Sequence, residues 1–151
     1  MYLSIWVNAS FIPTESLLKD LSSITTTGIP LIYNKISSKK EKKAIIEASL
    51  SSVGLLDKIN QFPLQLSGGQ QQRIAIARAL VNNPQIIFAD EPTGALDSET
   101  SEEIMKLLKK LNNNGKTIIM VTHDQDLTKY ATKVITLKDG AFTSLEVPIW
   151  I

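Results

Sequence analysis

The chain has 151 residues, 43% of them hydrophobic, which is enough for one ordinary domain with a packed core. With 16 basic and 15 acidic residues the formal charge is only +1, so no strong net field draws it to nucleic acid or to an anionic membrane surface. Zero cysteines exclude a disulfide framework and a cysteine-ligated metal, in keeping with a reducing, cytoplasmic setting.

No apolar run approaches the roughly 18 to 20 residues that span a bilayer. Residues 1–12 are mildly apolar but lack the basic n-region and small-residue cleavage site of a secretory signal, and they read as the middle of a longer sequence. Residues 14–24 place Leu17, Leu18, Leu21 and Ile24 on one face behind Pro13 and a Thr14 N-cap, which predicts a short amphipathic helix. Residues 39–53 open with Lys-Lys-Glu-Lys-Lys, a solvated face, and continue with Ile45, Ile46, Leu50 and Val53 at helical spacing, closed by Gly54.

After Phe62-Pro63 comes Ser67-Gly68-Gly69-Gln70, then Ile74, Ala75, Ile76, Ala77, Ala79 and Leu80, a largely buried third helix ending before Pro84. Ile86-Ile87-Phe88-Ala89 is a short continuous apolar run, expected to be a strand buried on both faces of a parallel sheet, with Asp90-Glu91-Pro92 at its end. The fourth helix is capped by Asp97 or Ser98, has Glu99, Glu102 and Glu103 early and Lys106, Lys109 and Lys110 late, and carries an Ile104, Leu107, Leu108, Leu111 stripe before Gly115. Residues 117–122 form a second buried strand finishing at His123, so strand, helix and strand imply a right-handed parallel crossover. Residues 134–138 and 141–145 flank Asp139-Gly140, a two-residue hairpin signal, and make an antiparallel edge. No internal repeat or low-complexity linker interrupts this α/β pattern.

Two carboxylates ending a buried strand are costly unless something charged meets them, and magnesium-bound nucleotide is a common answer. On that reading Asp90 holds the metal through water and Glu91 orients or deprotonates the attacking water; the alternative is an exposed acidic turn closed by Pro92. Ser67-Gly68-Gly69-Gln70 is a capping box that would start any helix, but its paired glycine also lets backbone N–H groups approach a phosphate closely. His123 is either an ordinary loop histidine or, at the carboxyl edge of a parallel sheet, a contact for a terminal phosphate or its attacking water. Asp97 serves as N-cap, and a functional role there is compatible with capping.

Leu66-Ser67-Gly68-Gly69-Gln70, residues 86–91, Gly94-Ala95-Leu96-Asp97 and His123 occur in the order and at the spacings of ATP-binding cassette proteins, and from Phe11 onward the chain resembles that family. Pro30-Leu31-Ile32-Tyr33 and the stretch from Glu91 to Ser98 are similar to cassettes of the macrolide-export, lipoprotein-release and antimicrobial-peptide-resistance type. The resemblance implies a partial P-loop ATPase core plus an α-helical subdomain, divided as residues 1–80, ending in the signature helix, and 81–151, the rest of the core. It implies ATP and Mg2+ as ligands, Asp90 as the Walker B aspartate, Glu91 as catalytic base and His123 as the switch histidine. It also implies that Ser67, Gly68, Gly69 and Gln70 touch nucleotide held by the opposite subunit, and that Asp97 lies at the dimer interface. The implied partners are a second cassette and a transmembrane permease on the cytoplasmic face of the membrane, with no nucleic acid, and the implied work is export driven by ATP hydrolysis.

The chain departs from the family in two respects: no Gly-x-x-x-x-Gly-Lys-Ser/Thr occurs in it, and no glutamine stands in the Q-loop slot. It is therefore expected to be an N-terminally truncated cassette that holds only the signature half of a site and is inactive alone. The slot of the family's Q-loop glutamine falls near Val7, beside Asn8. The alternatives are a soluble cassette acting on nucleic acid or ribosomes, and a non-catalytic remnant.

Overall fold

A computed structural model describes residues 21–33, 38–139 and 141–146. Its helices are α1 (Ser23–Gly28), α2 (Lys39–Ser52), α3 (Gly68–Leu80) and α4 (Ser98–Asn113), and its strands β1 (Ile86–Asp90), β2 (Thr117–Val121), β3 (Val134–Lys138) and β4 (Ala141–Glu146). Short 3-10 turns fill Ile29–Tyr33, Leu56–Lys58, Pro63–Gln65 and Gln125–Tyr130. The described residues divide into two compact units, one within Met1–Val121 and one within Thr122–Ile151.

In the first unit, helices α1, α2 and α3 pack on one another and α3 packs on α4. The α2 helix follows its sequence closely. Ser38 caps it by accepting from the Glu41 N–H, its lysine-rich opening is exposed, and Ile46, Leu50 and Val53 are buried before Gly54 turns the chain at φ 75°. The α4 stripe of Ile104, Leu107, Leu108 and Leu111 is buried as expected, joined by Met105. Each such side chain contributes about 1.5–3 kcal/mol by leaving water.

Of the helix expected over 14–24, residues 14–20 lie outside the described residues. Leu21 and Ser22 are not helical, and α1 instead begins at Ser23. Its Thr25-Thr26-Thr27 run has poor intrinsic helix propensity, and packing against α2 and α3 holds the helix even though the buried Thr27 hydroxyl finds no hydrogen-bond partner among the described residues. Ser23 Oγ and its N–H both donate to the Gln61 carbonyl.

The β1 and β2 strands pair in parallel around α4, with Phe88 opposite Ile119 and Asp90 opposite Val121. The expectation that both strands are buried on both faces is corrected here. Ile87 is 0% and Ala89 1% exposed, but on the opposite face Phe88 is 39%, Ile119 44% and Val121 60% exposed. Strand side chains alternate, and only one side of this sheet is covered by described residues.

In the second unit, β3 and β4 form an antiparallel hairpin as a two-stranded sheet of its own. Asp139 takes φ 51°, the left-handed geometry a two-residue hairpin loop requires. Before it, Asp124 caps the turn Gln125–Tyr130 by accepting from the Asp126 N–H, and Leu127 is buried.

Candidate functional site

Ser67 begins α3 in extended geometry and shares a reciprocal cap with Gln70: Gln70 N–H donates to Ser67 Oγ at 3.3 Å, and Ser67 N–H donates to Gln70 Oε1 at 3.0 Å. Gln71 Nε2 donates to the carbonyls of Pro63 and Leu66, at 3.0 and 3.1 Å, and so fastens the loop that enters the helix. Ser67 and Gly68 are exposed and Gly69 is buried. The glycines have a packing reason beyond phosphate approach. A Cβ on Gly68 would stand 3.2 Å from Leu96 Cδ2, and one on Gly69 would overlap Thr100 Cγ2.

At the end of β1, Asp90 is exposed and Glu91 half-buried. Glu91 is held at φ 44°, a left-handed conformation costing roughly 1–3 kcal/mol for a non-glycine residue, and its N–H donates to the Val121 carbonyl at 2.9 Å. Two turns follow, closed by Gly94 N–H to the Glu91 carbonyl at 3.2 Å and Leu96 N–H to the Thr93 carbonyl at 3.0 Å, over buried Pro92 and Thr93. They deliver the chain to Asp97, so the strained residue is also the pivot between strand and helix.

Asp97, rather than Ser98, caps α4: the Thr100 N–H donates to its Oδ1 at 2.9 Å and Thr100 Oγ1 donates to its Oδ2 at 2.7 Å. These bonds, the backbone one foremost, hold the Asp97 carboxyl below the ordinary aspartate value. Thr100 was not singled out from the sequence, although a threonine three residues after a capping aspartate was its signal. Arg73 was missed as well: its Nη1 donates to the Val53 carbonyl at 3.0 Å and its Nη2 pairs with Glu103 at 3.1 Å, tying the end of α2 to α4 through α3.

The structure thus joins Asp90 to Glu91 at one strand end and seats Ser67-Gly68-Gly69-Gln70 against the segment holding Asp97. His123 is exposed in the second unit. The Q-loop slot near Val7 and Asn8 lies outside the described residues. Among the described residues no cluster of three or more His, Cys, Asp or Glu side chains can hold a metal, and no helix is long and apolar enough to cross a membrane.

A family profile described as ABC transporter matches residues 5–94. The uncharacterized ABC transporter ATP-binding protein MJ1508 of Methanocaldococcus jannaschii is 51% identical over 129 residues, 85% of this chain and 57% of that protein. The macrolide export ATP-binding/permease protein MacB of Chlorobium luteolum is 49% identical over 128 residues, 85% of this chain and 19% of that protein. The dimeric post-hydrolysis structure of the ATP-binding cassette MJ0796, bound to ADP and Pi, superposes with a TM-score of 0.76 at 45% identity, covering 91% of this chain and 61% of that one. The chain spans little more than half the length of MJ1508, and its fold is that of the matching part of an ATP-binding cassette. With the fold, the ordered motifs and these likenesses in agreement, the chain belongs to the ABC transporter family.

Proposed function

We propose that these residues form the signature-bearing part of an ABC transporter ATPase that hydrolyses ATP to drive export, working as a pair with a second cassette. The observation that carries this reading is the end of β1, where Asp90 and a strained Glu91 precede the two turns that lead to the capped Asp97. Strain of that kind persists where the surrounding structure fixes it, and it clusters at reacting sites. In this reading Glu91 accepts the proton of the attacking water, and Asp90 helps hold magnesium through water.

The donor set fits such an ion. Magnesium keeps several waters and takes one or two carboxylates plus substrate phosphates rather than a dedicated cage, and the Asp90 and Glu91 carboxylates at the end of β1 match that chemistry. The bound ion would neutralise charge on the phosphates. The hydroxyl of Ser67 and the amides of Gly68, Gly69 and Gln70 would face a phosphate held by the opposite subunit, Asp97 would lie at the dimer interface, and His123 would contact the terminal phosphate. Residues 1–80 would serve as the helical subdomain meeting a transmembrane permease at the cytoplasmic face of the membrane, and 81–151 as part of the catalytic core. The fusion of ATP-binding and permease functions in the MacB relative supports export and a permease partner.

The 151 residues contain no glycine-rich phosphate loop, so in this reading that loop comes from another segment or polypeptide. The test is magnesium-ATP hydrolysis by the purified chain, alone and joined at its N-terminus to a cassette segment that supplies such a loop. Turnover only by the joined polypeptide, lost with Glu91→Gln, is expected; turnover by this chain alone would contradict the reading.

A further inference from the structure

One side chain, Thr100 in the first turn of α4, joins two features that were read separately. Its N–H and Oγ1 each donate to a different carboxylate oxygen of Asp97, fixing both. Its Cγ2 occupies the space that a Cβ on Gly69 would fill, so the buried start of α3 rests directly on that methyl. Threonine is stiff about χ1, and hydroxyl and methyl turn together about that bond. The rotamer that bonds Asp97 is therefore the one that seats Gly69.

We propose that Thr100 is a positioning residue that couples Asp97 to the turn Ser67-Gly68-Gly69-Gln70: its hydroxyl reads the carboxylate, and its methyl sets where the amides of that turn lie. When Asp97 is drawn to another partner, the hydroxyl loses its acceptor, the methyl is released, and the turn shifts. The functional consequence rests on the proposal that this turn faces a phosphate; the coupling itself does not.

Two substitutions separate the halves of the side chain. Thr100→Val keeps the branched shape and removes the hydroxyl, whereas Thr100→Ser keeps the hydroxyl and removes the methyl. On the full chain the readouts are amide chemical shifts of Gly68, Gly69 and Gln70 together with melting temperature, since a residue that merely stabilised α4 would change melting without selectively moving resonances in α3. Asp97→Asn is expected to move the Gly69 and Gln70 resonances in the wild-type background and to leave them in place in the Thr100→Ser background. Gly69→Ala is expected to lower the melting temperature, and adding Thr100→Ser to restore most of the loss. Resonances that ignore Asp97→Asn in the wild-type background, or a Gly69→Ala defect that Thr100→Ser does not relieve, would overturn the coupling. In the assembled ATPase, both Thr100 variants should lower kcat roughly tenfold with the KM for magnesium-ATP within about twofold. Coupled resonances with unchanged turnover would uphold the coupling and remove the phosphate-facing reading of the turn.

Discussion

The seam between α3 and α4 and the sheet of β1 and β2 belong to one unit but are finished to different degrees. On these two helices Ile74, Ile76, Ile104 and Leu108 are each at most 3% exposed, both helix starts are capped by side chains, and Arg73 pairs with Glu103 across the seam. The sheet is closed on one face only, with Phe88, Ile119 and Val121 partly exposed on the other. The α3 helix is covered on several sides, by α1 and α2 as well as by α4, whereas a parallel sheet has two faces and needs a layer on both. The helices at the seam are thus covered by their described neighbours, and the sheet is covered on one face.

The largest stability effect should come from the seam. Ile76→Ala removes a fully buried side chain and should cost about 2–5 kcal/mol, read by denaturant unfolding. A smaller, pH-dependent effect should come from Asp97. Because its folded pKa lies below the ordinary aspartate value of 3.8, the unfolded chain binds the proton more readily, and the stabilisation is present above 3.8 and lost as pH falls through the lowered value. Thermal melts across that acidic window should fall for the wild type and flatten for Asp97→Asn.

On the open sheet face, Val121→Ser should change the stability of the chain by no more than about 0.5 kcal/mol while reducing self-association, measured by unfolding and light scattering. A loss as large as that of Ile76→Ala would show the face to be covered in solution and would erase the contrast between the two regions. The smallest effect should be Glu47→Gln, which breaks the exposed 3.7 Å pair with Lys43 within α2 and should cost at most about 0.5 kcal/mol in the same unfolding assay.

Much of this was legible where a local rule decides the outcome. The Ser67 and Gln70 capping box, the polarity and stripe of α4, and the Asp139-Gly140 hairpin each follow from interactions among neighbours in sequence. An apolar run such as Ile86-Ile87-Phe88-Ala89 records what a strand is suited to pack against, not what these residues supply, so two-face burial did not follow, whereas the absence of a phosphate-loop segment already implied exposed sheet and core. The α1 helix was missed because threonines carry little helical signal and packing against α2 and α3 holds them there. At the candidate site the acidic pair and the signature turn stood out as residue types. The left-handed Glu91 and the double contact of Thr100 did not, since a backbone angle and a methyl seated on a glycine arise only when distant segments meet.

The proposal that Glu91 is the base acting on a nucleotide held elsewhere is tested most directly by ATP turnover and ATP affinity of Glu91→Gln in the assembled transporter ATPase. Turnover should fall about 100-fold or more with ATP affinity within about twofold of the wild type. Unchanged turnover would contradict the assignment.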